Sequence, residues 1–144
     1  IYRYYYSMSC FWQGIQRSLI LEDFVPYEKS NNVEFVPNLQ KLVLFLQEHN
    51  CVTTTITCNS EVCSQKMLEE NKTAIEEYDI NQINQGYYCS TADPFLFLIC
   101  FLFKVHIHHD YNGHSIVYEH PNHVRTIYYQ SNTSHFTYKK TIMK

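Results

Sequence analysis

An α+β fold, with helices packed on a small and mostly antiparallel sheet, is the architecture this sequence predicts, on two observations. Segments with apolar residues three and four apart occupy roughly the first hundred positions, the spacing of helices. The last forty positions change to short alternating runs separated by turn residues, the spacing of strands. The chain of 144 residues forms one domain, 1–144, long enough to bury roughly two-thirds of the surface its unfolded form exposes. Hydrophobic residues make up 45% of it, and three glycines and four prolines are too few for a linker or a disordered tail.

Taken in order, Ser9 stands as an N-cap before a helix over Cys10 to Leu21, with apolar residues at 11, 12, 15, 19 and 20. Pro26 and Pro37 bracket a loop that includes Ser30-Asn31-Asn32. Asn38 then caps a helix over Leu39 to His49 with Leu39, Leu42, Val43 and Leu46 on one face. The Thr-rich stretch 51–59 fits a short strand or a loop equally well. Ser60 is a cap for a polar helix running to about Asn71, and a further short helix covers Ala74 to Ile83. Gly86 interrupts the pattern. Thr91 and Asp93-Pro94 then open the run Phe95 to Phe103, Pro being well suited to a first turn. From Lys104 to His108 the residues alternate, Val105 and Ile107 to one side, His106 and His108 to the other. Asn112-Gly113 signals a hairpin turn. Ser115 to Tyr118, Thr126 to Tyr129 and His135 to Ile142 complete the strands.

Composition removes several function classes. A net charge of −3 with thinly spread Lys and Arg gives no basic stripe for nucleic acid. The nine-residue apolar run 95–103 is far short of the roughly 20 residues a membrane helix needs, and reads as a helix buried on all sides. Aromatic residues reach 16%, and Tyr4-Tyr5-Tyr6, Tyr87-Tyr88 and Tyr128-Tyr129 read as strand and core packing. No signal peptide is expected before the six cysteines at 10, 51, 58, 63, 89 and 100. With Cys100 inside the apolar run, they indicate free thiols in a reducing, cytoplasmic setting. Two sequons, Asn71-Lys72-Thr73 and Asn132-Thr133-Ser134, weigh weakly the other way. The pattern requires no cofactor.

Chemistry concentrates at Ser7-Met8-Ser9-Cys10-Phe11-Trp12. A cysteine in a first helical turn faces unpaired amides and the positive end of the helix dipole, both of which favour the nucleophilic thiolate. The same amides suit a developing oxyanion. Such a nucleophile needs a base, and His135 follows the polar loop 131–134 at the head of the last strand. His106, His108, His109, Asp110 and His114 lie within nine residues and are all suited to zinc, although alternation along a strand separates their faces. No metal ligand set is assigned.

Cys10-Phe11-Trp12 at a helix head and His135-Phe136 at the start of the last strand resemble the ovarian-tumour (OTU) family of papain-like cysteine proteases. Tyr88-Cys89 stands where that family carries Trp-Gly, followed by the helix 93–103 and the strand Val105-His106-Ile107. Order and spacing match over nearly the whole chain. The resemblance implies an OTU-type, papain-like fold and a thiol protease, a deubiquitinase. Cys10 would be its nucleophile, His135 its base, and backbone amides of Ser7, Met8, Ser9 and Cys10 its oxyanion hole. Trp12, Tyr88 and Phe136 would line the substrate cleft. It implies ubiquitin, a ubiquitin-like modifier or a polyprotein as substrate; size and the absent initiator Met are compatible with a viral domain acting in the host cytoplasm. The chain departs from the family where Ser7-Met8-Ser9 replaces Asp-Gly-Asn. The third catalytic residue would fall at Thr137, a weak orienter of imidazole, with Asn132 as the substitute if its loop folds back. The competing expectation is an OTU-like module that has lost activity and binds ubiquitin or another protein.

Overall fold

The structure, a computed structural model, describes residues 9–28, 35–90, 92–132 and 134–144. Its helices are α1 (Cys10–Ser18), α2 (Leu21–Phe24), α3 (Leu39–Glu48), α4 (Gln65–Glu77) and α5 (Pro94–Phe103). The strands are β1 (Thr57–Cys58), β2 (Glu61–Val62), β3 (Val105–Tyr111), β4 (His114–Glu119), β5 (Arg125–Ser131) and β6 (Phe136–Met143). The fold is α+β, as the periodicity predicts. All six strands form one sheet in the order β2-β1-β4-β3-β5-β6. It is mixed, since β3 and β5 run parallel while every other pair is antiparallel. The hairpin causes this: β4 turns back along one side of β3, and the connection 120–124 recrosses to start β5 on the other.

Local chemistry accounts for most boundaries. Asn38 accepts from Lys41 N (3.0 Å), and Asp93 accepts from Phe95 N and Leu96 N (2.9 and 3.3 Å), so both predicted caps form. Pro94 occupies the first turn of α5. In α5 every residue but Pro94 and Phe101 is buried, as a helix apolar on all sides must be. Asn112 and Gly113, at φ 49° and 88°, make the tight turn between β3 and β4. Thr91 and Ser30-Asn31-Asn32 lie outside the described residues.

Three expectations are corrected. The first helix stops at Ser18, because Leu19 is extended (ψ 152°) and a separate short helix begins at Leu21, where Asp23 Oδ2 accepts from Ile20 N. Ser60 caps no helix; with Asn59 it forms the left-handed turn between β1 and β2, at φ 66° and 50°. The cap is Ser64, which accepts from Met67 N, and the two polar helices are one, Gln65–Glu77. Ser9 stands in the N-cap position without capping: its Oγ accepts from Gln13 Nε2 (2.8 Å).

The core lies between the sheet and α1, α3, α4 and α5. Ile107, His109, Ile116, Tyr118, Ile127, Tyr129 and Phe136 form the covered side of the strands. Deep in it, Arg125 forms a two-pronged pair with Asp23 (2.7 Å on each prong), both side chains almost wholly buried. The bond ties α2 to the start of β5 and offsets the cost of burying both charges.

Candidate functional site

Cys10 opens α1 half-buried, and α1 lies along β6. Close approach is possible because Gly14 faces the strand: a Cβ there would stand 2.9 Å from Phe136 Cδ1 and 3.0 Å from Cε1. The amide of Phe136 donates to Cys10 Sγ at 3.3 Å across 126 residues of sequence. Thus the helix-head thiol meets the first residue of the last strand, whose preceding residue is His135.

Electrostatics at the sulfur differ from the expectation. Burial pushes the Cys10 thiol above its ordinary range, while the amides of Phe136, Phe11 and Cys10 itself pull it back down. Burial wins, so the helix head by itself does not hold a thiolate.

His135 is exposed and lines a polar pocket of about 290 Å³ with Asp110, Asn112, Gly113, Gln130, Ser131, Asn132 and Thr137. Cys10 is not among the described residues lining it. Asn132 does fold back, but onto main chain: its Oδ1 accepts from Ser134 N (2.7 Å) and His135 N (2.9 Å), and its own N donates to His135 O (3.0 Å). It shapes the loop that presents His135. Thr137 pairs with Gln130 in the sheet register and shares the pocket. Ser7 and Met8, two of the oxyanion-hole candidates, lie outside the described residues. Ser9 is buried beside Cys10.

The cleft candidates divide. Tyr88 is 68% exposed and can meet a partner. Trp12 cannot, because it is fully buried: its Nε1 donates to Tyr78 OH (2.9 Å) and its ring meets Phe95 edge-on at 4.8 Å. Helical periodicity turns position 12 inward while the thiol at 10 stays near the surface. Phe136 is likewise core, its ring against Phe11 and Tyr129 at 4.8 and 4.9 Å.

The histidine cluster is dispersed by strand alternation. His106 stacks on His123 (3.4 Å between ring centres) and its Nε2 bonds His120 O at 2.9 Å. His108 leans on Tyr128, and His114 is exposed at the start of β4. Among the described residues no group of three or more His, Cys, Asp or Glu is placed to hold a metal ion.

His109 was the residue least visible in the sequence. It is fully buried, with Nε2 2.7 Å from Ser131 Oγ and Nδ1 4.0 Å from Cys89 Sγ. Burial lowers its pKa to about 4, so it is neutral at ordinary pH. Burial and the nearby Asp93 carboxylate raise Cys89 well beyond the usual thiol range. Only the odd position in the alternation, on the side of Val105 and Ile107, could have marked His109 as inward-facing. Asp110, on the opposite face, joins the His135 pocket.

All six thiols are free, and among the described residues no helix is long and apolar enough to cross a membrane. Compared with known proteins, the chain matches no family model, no curated protein and no solved structure.

Proposed function

We propose that the chain is a cysteine-dependent hydrolase of the OTU-like kind, acting on peptide or isopeptide bonds after ubiquitin or a ubiquitin-like modifier, or within a polyprotein. The observation that carries this reading is the Phe136 N to Cys10 Sγ contact, which puts a helix-head thiol beside the strand that His135 precedes.

In this reading His135 turns from its pocket toward Cys10 when substrate arrives, and takes the thiol proton. The thiolate attacks the carbonyl carbon, and amides at the helix head hold the oxyanion. The carbonyl–nitrogen bond breaks, His135 returns the proton to the leaving amine, and water hydrolyses the thioester. The work is done in the cytoplasm, where thiols stay reduced. A second reading, a binding module without activity, is favoured by the raised thiol and by Ser7-Met8-Ser9 in place of a more permissive loop.

The test uses ubiquitin carrying a thiol-reactive electrophile at its C-terminus, with Cys10→Ala, His135→Ala and Cys89→Ser variants. The proposal expects an adduct in the parent and in Cys89→Ser, none in Cys10→Ala, and much slower labelling in His135→Ala. Binding of ubiquitin without any adduct would establish the inactive module. An adduct that survives Cys10→Ala would sink the assignment of the nucleophile.

A further inference from the structure

We propose that His109 is a positioning residue that fastens together two segments reaching the helix head of Cys10, one around Cys89 and one around Ser131, through its two ring nitrogens. The inference rests on the reading of Cys10 and His135 as the reacting pair, and adds to it the device that holds both walls in register.

An imidazole with no exposed surface is costly unless its nitrogens are matched. Those of His109 point in opposite directions, and each meets a different loop. On one side Nε2 lies 2.7 Å from the buried Ser131 hydroxyl. The carbonyl of Ser131 in turn accepts from Asn112 N (2.8 Å), and the next residue, Asn132, organises the turn that carries His135. On the other side Nδ1 faces Cys89 Sγ at 4.0 Å. Two residues earlier the Tyr87 ring stacks on Phe11 at 4.1 Å, and its hydroxyl donates to Asp93 Oδ2 at 2.8 Å. The edge of the imidazole also meets the ring of Phe136 (5.4 Å), the residue whose amide touches the thiol.

Both walls therefore reach the Cys10 segment through residues that His109 organises: Tyr87 on Phe11, and Phe136 on Cys10. A hydroxyl and a thiol each donate or accept, so a neutral imidazole satisfies both partners with one proton. An apolar residue of the same shape would fill the space and drop both ties. His109 is a positioning residue, because its ring nitrogens meet Ser131 and Cys89 rather than the reacting sulfur.

The experiment compares the full chain with His109→Phe, His109→Gln and the milder Ser131→Ala, by amide hydrogen exchange and by turnover of a ubiquitin C-terminal fluorogenic substrate. In His109→Phe, exchange of amides in 87–90 and 131–136 is expected to rise roughly tenfold, the scale of one lost buried hydrogen bond. Central amides of β3 and β5 should stay protected. Ser131→Ala should loosen 131–136 alone, and His109→Gln, which keeps a donor, should restore part of that protection. Turnover should lose kcat with KM little changed. Loops that keep parental exchange in both His109→Phe and Ser131→Ala overturn the proposal, as does an equal loss of protection across the whole sheet. Loops that loosen in a chain that hydrolyses nothing uphold the tie and overturn the catalytic reading instead.

Discussion

Replacing Asp23 by Asn should cost this protein a large part of its stability, and the cost follows from the burial of Arg125. The two side chains are 5% and 2% exposed, and each guanidinium prong meets a carboxylate oxygen at 2.7 Å. Arg125 also donates to Ser18 O at 3.3 Å, while its Nε finds no acceptor among the described residues. The cation is thus satisfied almost wholly by one carboxylate. Removing that charge strands a desolvated guanidinium, which costs about 3–5 kcal/mol where a buried pair is broken from one side. A domain of this size holds only about 5–15 kcal/mol in total. With each kcal/mol worth about 2–4 °C in a somewhat larger domain, the midpoint should fall by roughly 10 °C. Urea denaturation of Asp23→Asn gives this cost, and Asp23→Leu, Arg125→Met and the double variant Asp23→Leu/Arg125→Met close the cycle. Each single change should be severe, and the double should recover most of the loss, because apolar residues of similar volume leave no charge behind. A single-variant cost below about 1 kcal/mol, the range of an exposed pair, would refute the reasoning.

Two further outcomes are expected. Gly14→Ala gains about 1 kcal/mol of helix propensity but presses its methyl into the Phe136 ring, an overpacking that costs about 1–3 kcal/mol. Phe11, Tyr129 and His109 hem that ring in, so a net loss near 1 kcal/mol and an altered rate of Cys10 alkylation should follow. A stabilised variant with parental alkylation would show that the ring yields freely. Acid should weaken the fold through His109. Its folded pKa of about 4 lies below the usual 6.5, so its contribution is complete above pH 6.5 and drains away as pH falls toward 4. The loss amounts to about 3 kcal/mol. Burial raises Asp93 to about 6, which works the other way as pH rises from about 4 to 6. The quantity to compare is therefore the difference between the parent and His109→Gln in urea at pH 7 and pH 4.5. Parallel pH dependence in the two would exclude His109 as the cause.

Much of the helical layer was legible along the chain because its signals are local. Asn38 and Asp93 cap through side chains within three residues, Pro94 suits a first turn, and nine apolar residues in a row demand burial on every side. The alternation at 104–108 and the Asn112-Gly113 pair likewise mark a hairpin with no help from elsewhere. Ser60 misled because a serine before a polar run serves a cap or a turn equally well, and the pairing of β1 with β4 selects the turn.

The meeting of α1 with β6 was expected from a resemblance, and only packing decides its contacts. Sequence by itself determined that Cys10 heads a helix and that His135 stands at the head of the last strand, which the structure begins one residue later, at Phe136. Tertiary structure decided that the Phe136 amide donates to the thiol, and that burial outweighs the helix head in setting the sulfur's charge. It also decided that Trp12 is core and that His109, one of a run of histidines, is the one enclosed between two loops. The physical reason is range. Caps, turns and periodicity act within a few residues, whereas desolvation and hydrogen bonds across 126 residues exist only once the chain has closed on itself.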